Sequence, residues 1–203
     1  GGEGTLDVRN GGLVSLIGSD TYIQVGADRG DGEGAGTLSI TGGSRVETLF
    51  FTVASGGGTG NVIVSGAGSR LVLDGTEPPS DAAYGNGAFM NLGRDGTGTL
   101  TVEDGGQVSI STDEGSSPGL HVGRNEGSQG TITVTGEGSA VTITNNNPAL
   151  TNSYVAVGRS GNGELTVADG GEFTGALFIH VGRDTTGDGS ITISGENSLL
   201  ALS

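Results

Sequence analysis

The stretch GTLTVEDGGQVSI, residues 98–110, decides the fold, because two alternating segments flank a two-glycine turn in it. In the first segment Leu100 and Val102 alternate with polar residues, which is the period of a strand with one buried face. Variants of this stretch occur six more times, beginning at Gly4, Gly36, Gly60, Gly130, Gly163 and Gly189. The chain therefore consists of seven copies of one unit.

Each copy holds three short alternating segments, which in the fourth copy are residues 99–102, 108–110 and 120–122. One copy cannot bury its apolar side alone, but stacked copies pair their strands and form a continuous core of Leu, Ile and Val columns. The spacing between copies varies, which a β-solenoid tolerates in its loops. The sequence predicts an all-β fold, a parallel β-helix (β-solenoid) of about seven coils with three short strands per coil. The general preference for right-handed crossovers favours a right-handed helix.

Composition limits the partners. The net charge is −15, and all eight basic residues are arginine. A phosphate backbone requires a basic footprint, so we expect no nucleic acid partner. No apolar run is long enough to span a bilayer, so we expect no direct membrane insertion of this chain. The sequence contains no cysteine and no motif that indicates a cofactor.

Three longer motifs connect the copies: LGRDGTGTLTVEDGG at 92–106, VGRNEGSQGTITVTGEGS at 122–139 and VGRSGNGELTVADGG at 157–171. Together with the remaining copies they resemble the glycine-rich β-helix repeats of bacterial autotransporter (type V secretion) passenger domains. The resemblance covers essentially the whole chain. It implies export across the outer membrane to the bacterial cell surface, and a role in adhesion or autoaggregation, as in biofilms. We expect residues 1–203 to be a single β-helix segment of a longer passenger domain.

The function expected from this resemblance is that of an adhesin stalk. Its partner would be a host surface receptor, a glycan or a second copy of the chain in trans, and we expect no enzymatic activity. Two alternatives are a polysaccharide-degrading β-helix enzyme and an ice-binding β-solenoid. The second rests on outward threonine pairs such as Thr99 with Thr101, but Ile63 and Glu164 interrupt the regular array that ice binding requires.

Four arginines follow the third segment of successive copies, at Arg94, Arg124, Arg159 and Arg183. Stacked coils would place them in a line along one edge. Since arginine forks match sulfate and carboxylate groups, the line is a candidate binding site for an anionic polysaccharide. The other interpretation is structural, with each arginine paired to a nearby acid, Asp95, Glu126 or Asp184.

Insertions between the second and third segments mark a second candidate surface. They are residues 74–88, 111–119 and 144–153, on three consecutive copies, so they must project from one corner. Loops on rigid scaffolds often carry recognition residues. The candidates there are Tyr84, Asn145, Asn146 and Asn147.

Other motifs carry weaker signals. His121 and His180 share a column of mixed residues two coils apart, too far for a common metal ion, and we interpret both as surface residues. The triplet at 29–31 spells Arg-Gly-Asp, the integrin-binding tripeptide, in a glycine-rich loop, where chance accounts for it. We interpret the acidic glycine loops as solvated turns rather than calcium sites, and predict no metal.

Overall fold

The structure is a computed structural model that describes residues 1–16, 18, 21–27, 34–75, 87–113, 118–147 and 153–203. Among these residues twenty β-strands form three parallel sheets. The described residues include no helix that is long and apolar enough to cross a membrane.

Each sheet collects one strand from every coil. The first sheet contains β1 (Glu3–Val8), β4 (Ala35–Thr41), β7 (Thr59–Ser65), β10 (Thr97–Glu103), β13 (Gln129–Thr135), β16 (Asn162–Ala168) and β19 (Asp188–Ser194). The second sheet contains β2 (Leu13–Ser15), β5 (Arg45–Thr48), β8 (Arg70–Gly75), β11 (Gln107–Thr112), β14 (Ala140–Asn145), β17 (Glu172–Gly175) and β20 (Leu199–Ala201). The third sheet contains β3 (Tyr22–Ala27), β6 (Phe50–Ser55), β9 (Phe89–Leu92), β12 (Gly119–Val122), β15 (Tyr154–Val157) and β18 (Phe178–Val181). This arrangement confirms the predicted parallel β-helix of about seven coils.

The register aligns equivalent residues of successive copies. Leu100 pairs with Val62 on one side and with Ile132 on the other. Neighbouring strands of a sheet lie about 4.8 Å apart, so each coil advances the rod by that distance. The predicted columns of aliphatic residues are therefore real stacks.

The core is a narrow filament between the three sheets. Ile132 and Val134 are fully buried, and Phe51 and Phe173 are its largest buried side chains. Leu6 and Ile193, in the first and seventh coils, are each 42% exposed. Apolar burial along the stack is the main source of stability.

In the two-glycine turn of the fourth coil, the two glycines have different roles. Left-handed φ angles occur at Asp104 (+53°) and Gly105 (+83°), and not at Gly106. The second glycine serves close packing instead, because a Cβ at Gly106 would lie 2.2 Å from the carbonyl oxygen of Val64. The glycine pair therefore marks the turn, as predicted, but its two members meet different requirements.

A serine in the turn between the first and second strands of a coil ties neighbouring coils together. The backbone N–H of Gly105 donates to Oγ of Ser139 at 3.0 Å, and Ser139 is fully buried. Equivalent bonds at other turns join Gly12 to Ser44, Gly43 to Ser69, and Gly170 to Ser198. The turn of the second coil bonds in both directions, since its Ser44 accepts from Gly12 and its Gly43 donates to Ser69.

Candidate binding face on the third sheet

Among the described residues, the outward side of the third sheet carries aromatic side chains that the outward sides of the other two sheets lack. Along each strand the inward residues enter the core, and the remaining positions form two outward columns in register. The aromatic column contains Tyr22, Phe50, Phe89, Gly119, Tyr154 and Phe178. The central column contains Gln24, Thr52, Asn91, His121, Ala156 and His180.

An arginine column follows at the ends of four neighbouring strands, β9, β12, β15 and β18. It consists of Arg94, Arg124, Arg159 and Arg183. Backbone bonds hold the last three in register, since each arginine N–H donates to a glycine carbonyl one coil earlier at 2.9 Å. The predicted line of arginines is thus confirmed, and it holds half of the eight arginines in the chain. We call these three columns over the four strands the third-sheet face.

Steric crowding explains why glycine precedes the arginine in this motif. Gly123 has φ +66°, and a Cβ on it would lie 2.1 Å from the carbonyl oxygen of Asn162. Any side chain would therefore displace the neighbouring backbone. The motif is visible in the sequence, but this contact is not, because Asn162 belongs to a later coil.

Carboxylates neutralise only part of the arginine column. Asp184 lies 3.4 Å from Nε of Arg159 and 3.8 Å from Nε of Arg183, so one acid serves two cations. Asp95 lies 3.5 Å from Nε of Arg94. Two of the three acids proposed as partners are therefore confirmed. Four guanidinium groups share two carboxylates.

Arg124 has a different environment. Its Nη1 donates to Oδ1 of Asn91 at 3.2 Å, and among the described residues no carboxylate lies within 4 Å of it. The third acid proposed as a partner, Glu126, is exposed and forms no ion pair in this part of the chain. Burial, together with the charges of Arg94 and Arg159, lowers the pKa of Arg124.

The arginine side chains are anchored at their stems and open at their tips. Nε is buried without a hydrogen-bond acceptor in Arg94, Arg124 and Arg159. The ion pairs made by two of these Nε atoms are too long or too bent to be hydrogen bonds. Overall the side chains of Arg94, Arg159 and Arg183 are 38%, 31% and 37% exposed, so an anion in solvent can reach them.

The centre of the face is a packed cluster of rings. The rings of Phe89 and His121 meet edge to face at 4.7 Å, and Nε2 of His121 lies 2.9 Å from the hydroxyl of Tyr154. Gly119 makes room, since a Cβ there would lie 2.5 Å from Cε2 of Phe89. The guanidinium of Arg183 lies 5.5 Å from the ring centre of Tyr154, a cation–π contact.

This cluster contradicts the prediction that His121 is a surface residue. Its side chain points outward, yet it is only 2% exposed, because long side chains on the neighbouring strands lean over it. Nδ1 of His121 faces Oδ1 of Asn91 at 3.3 Å. His180, two coils away, is exposed as predicted.

The pKa of His121 reports the positive potential of the face. Burial is the largest cause of its lowering, followed by the charges of Arg159, Arg124 and Arg183, and together they reduce it from 6.5 to about 3. The imidazole is therefore neutral in the folded protein. Half of the arginines of a protein of net charge −15 thus lie together on one face.

We expect acid to destabilise the fold through His121. Between about pH 6.5 and pH 3 the unfolded chain binds a proton on this residue that the folded chain does not, so the free energy of unfolding falls as pH falls. The contribution is roughly 1.4 kcal/mol per pH unit. Thermal unfolding of His121→Gln should lose this dependence between pH 6 and 4.5, where most carboxylates remain ionised.

The matched control is His180→Gln, in the same column but exposed, which should keep the pH dependence of the wild-type protein. Glutamine fits the site, because Gln24 occupies the equivalent position of the first coil. Identical pH profiles for His121→Gln and the wild-type protein would contradict the assignment of a buried neutral imidazole.

The chain is similar to a segment of a Brucella adhesin. It is 30% identical over 173 residues, 81% of this chain, to the adhesin BmaC autotransporter of Brucella suis biovar 1 (strain 1330), and these residues are 5% of that protein. It is 33% identical over 139 residues, 67% of this chain, to the uncharacterized lipoprotein YdeK of Escherichia coli (strain K12), 10% of that protein. The chain thus spans a tenth or less of the length of these curated relatives. No family model matches it, and no solved structure matches it.

These similarities support the resemblance to autotransporter passengers in its broad form. One relative is an autotransporter adhesin by name and the other a lipoprotein, and both exceed the present chain many times in length.

The second candidate surface, at the corner between the second and third sheets, is described in part. Asn146 donates its backbone N–H to the carbonyl of Thr112 at 3.0 Å and its side-chain amide to Oδ1 of Asp113. This contact confirms that the insertions of the fourth and fifth copies meet at one corner. Tyr84 lies outside the described residues.

A cleft of about 390 Å³ opens at the same corner. Asn145 and Asn147 line it together with Ser153 and Leu177. The backbone N–H of Asn147 donates to Oδ1 of Asn145 at 3.1 Å, so this amide oxygen is already engaged. Polar and apolar side chains both line the cleft, and no arginine is among them.

The Arg-Gly-Asp triplet and the glycine-rich loop around it, residues 28–33, lie outside the described residues. Among the residues that the structure describes, no three His, Asp or Glu side chains converge as a metal site would require.

Proposed function

We propose that the chain is a rigid segment of a cell-surface adhesin and that the third-sheet face is its binding surface. The observation that carries this proposal is the line of four arginines on consecutive coils, flanked by aromatic rings, in a protein of net charge −15. The similarity to the Brucella autotransporter adhesin supports both the adhesive role and a location at the bacterial cell surface or envelope.

The β-helix suits this role because it presents its face without an ordering cost. The strands β9, β12 and β15 are hydrogen-bonded on both edges, and Arg94, Arg124 and Arg159 follow them; Arg183 follows β18, which pairs with β15. A preorganised surface loses little entropy on binding, and preorganisation is one of the main determinants of affinity. The proposed activity is therefore recognition, without a chemical step, of a receptor or glycan on another surface.

Self-association in trans is a second candidate, favoured by the outward side of the first sheet. Thr99 and Thr101 align with Thr131 and Thr133 on the next coil, which gives a short ladder of hydroxyls. Glu164 ends this ladder, since it lies in register with Thr131. Two such ladders could pair once salt screens the net negative charge. Ile63 lies in register with Thr101 and interrupts the ladder, as the sequence predicted, which also disfavours the ice-binding alternative.

Adhesion of beads coated with the chain tests the proposal. We expect coated beads to adhere to cultured host cells, and the variant Arg124→Gln with Arg159→Gln to reduce adhesion at least about tenfold, since charge-assisted bonds contribute about 1.5–3 kcal/mol each. The matched control is Arg45→Gln with Arg70→Gln, which removes the same charge from the second sheet.

Equal adhesion of coated and bare beads would overturn the proposal, as would an equal loss in the two variants. Mixing beads that carry only the chain measures the self-association candidate. Clumping that persists in the arginine variants and increases with salt would assign adhesion to the first sheet instead.

A further inference from the structure

We infer that the ligand of the third-sheet face is a sulfated polysaccharide bound with its chain along the axis of the rod. This inference rests on the proposed function and names the chemistry of the ligand. Three features of the face carry it: the regular spacing of the arginines, the unneutralised charge among them, and the adjacent aromatic column.

The spacing favours a linear polymer. Four cations follow one another at intervals of one coil, about 4.8 Å. A pyranose residue is about as long as this interval, so a polysaccharide with an anion on most residues can match the column over several coils. The anions of a folded protein receptor have no such repeat along a line.

The charge balance favours a polyanion with dense charge. The arginine column has two carboxylate partners for four guanidinium groups, and Arg124 has none within 4 Å among the described residues. The side chains of Arg94, Arg159 and Arg183 are about one third exposed. Each guanidinium can donate two parallel hydrogen bonds to the oxygens of a sulfate, the geometry in which arginine exceeds lysine.

The aromatic column supplies the second contact. Phe178 is 49% exposed, and Tyr154 and Phe89 are partly exposed. The aromatic and arginine columns are connected across the central column by Arg183, whose guanidinium lies 5.5 Å from the ring centre of Tyr154. A pyranose ring has an apolar face of C–H groups that packs against such rings. The hydroxyl of Tyr154 is bonded to His121, which holds the ring in place.

Nucleic acid fits this face less well than a sulfated glycan does. A duplex needs a broad cationic footprint, whereas here the cations form a single line on an acidic protein. Acidic residues elsewhere on the rod would repel the second strand. A single-stranded oligonucleotide therefore serves as a test ligand rather than as an expected partner.

Binding to three probes of equal length tests the inference: a heparin octasaccharide, a hyaluronan octasaccharide that carries carboxylates without sulfate, and a single-stranded DNA octamer. We expect the heparin fragment to bind at least about tenfold more tightly than either other probe. Arg124→Gln with Arg159→Gln should weaken heparin binding at least about tenfold, and should lower the slope of log K against log salt by about one to two. The control pair Arg45→Gln with Arg70→Gln should change neither quantity.

An independent signal comes from His121. Its ring is packed between Phe89 and Tyr154, so a ligand on the face changes its surroundings and its imidazole resonances should shift on addition of heparin. The same addition to Arg124→Gln with Arg159→Gln should leave them in place. Equal unfolding temperatures for the two double variants, in Arg124 with Arg159 and in Arg45 with Arg70, would show that the loss of binding is not caused by a loss of folding.

Three results would overturn the inference: no heparin binding by the wild-type chain at low salt, equal affinity for hyaluronan or DNA, or an equal loss in both arginine pairs. The proposed function and this inference can fail independently, and the bead experiment distinguishes the two failures. Beads that adhere to cells but are not displaced by soluble heparin would remove the ligand class and retain the adhesin. Heparin binding by a chain whose beads do not adhere would retain the site and remove the adhesin.

Discussion

Gly123→Ala should lower the free energy of unfolding by more than about 3 kcal/mol, which is among the largest effects of a single methyl group. Two causes add. The residue has φ +66°, where an L-residue is strained by about 1–2 kcal/mol. In addition the new Cβ would lie 2.1 Å from the carbonyl oxygen of Asn162, so two coils must separate. Thermal unfolding monitored by circular dichroism measures the effect, which corresponds to roughly 6–12 °C for a chain of this size.

Gly127→Ala is the matched control, four residues later in the same connection between the third and first sheets. Gly127 has φ +78° but open space around its Cα, so it incurs the cost in φ alone, about 1 kcal/mol. Similar losses in the two variants would show that conformation, and not close packing between coils, explains the glycine before each arginine.

Ile132→Ala should lower the free energy of unfolding by about 2–5 kcal/mol, because truncation of a fully buried aliphatic side chain leaves a cavity. The effect should propagate. In a stack where each coil contacts only its neighbours, a defect in the fifth coil weakens the interfaces on both of its sides. Denaturant titration should therefore give both a lower midpoint and a broader transition than the wild-type protein.

The control for the core is Ile63→Ala. It is the same substitution in the same sheet, but at a side chain that points outward. Ile63 lies in an outward position and is partly exposed. Its truncation should cost less than about 1 kcal/mol, the range of strand propensity. A loss equal to that of Ile132→Ala would contradict the assignment of inward and outward faces.

The candidate binding face combines features of both interpretations of the arginines. Asp95 and Asp184 neutralise part of the column, as the structural interpretation predicts. Among the described residues Arg124 has no carboxylate within 4 Å, and its guanidinium donates to Asn91, so this part of the column keeps an excess of positive charge. Structural pairing and ligand binding are thus divided among the members of one column.

Sequence patterns alone were sufficient for the architecture. Alternation of apolar residues decides which side chains enter the core, because successive residues of a strand face opposite sides. Repetition then aligns Leu100 with Ile132 and each arginine with the next, since parallel strands of a solenoid pair in register. These properties depend on local spacing, and local spacing is written directly in the chain.

What the patterns lacked was the environment created between coils. His121 is buried by Phe89 and Tyr154, and its partner Asn91 is 30 residues away in the sequence. Asp184 serves two arginines, and Gly123 touches the backbone of Asn162. Such contacts are set by the rotamers and backbone positions of neighbouring coils. Burial, charge balance and steric fit on the third-sheet face were therefore decided by the tertiary structure, because each is a property of several coils together.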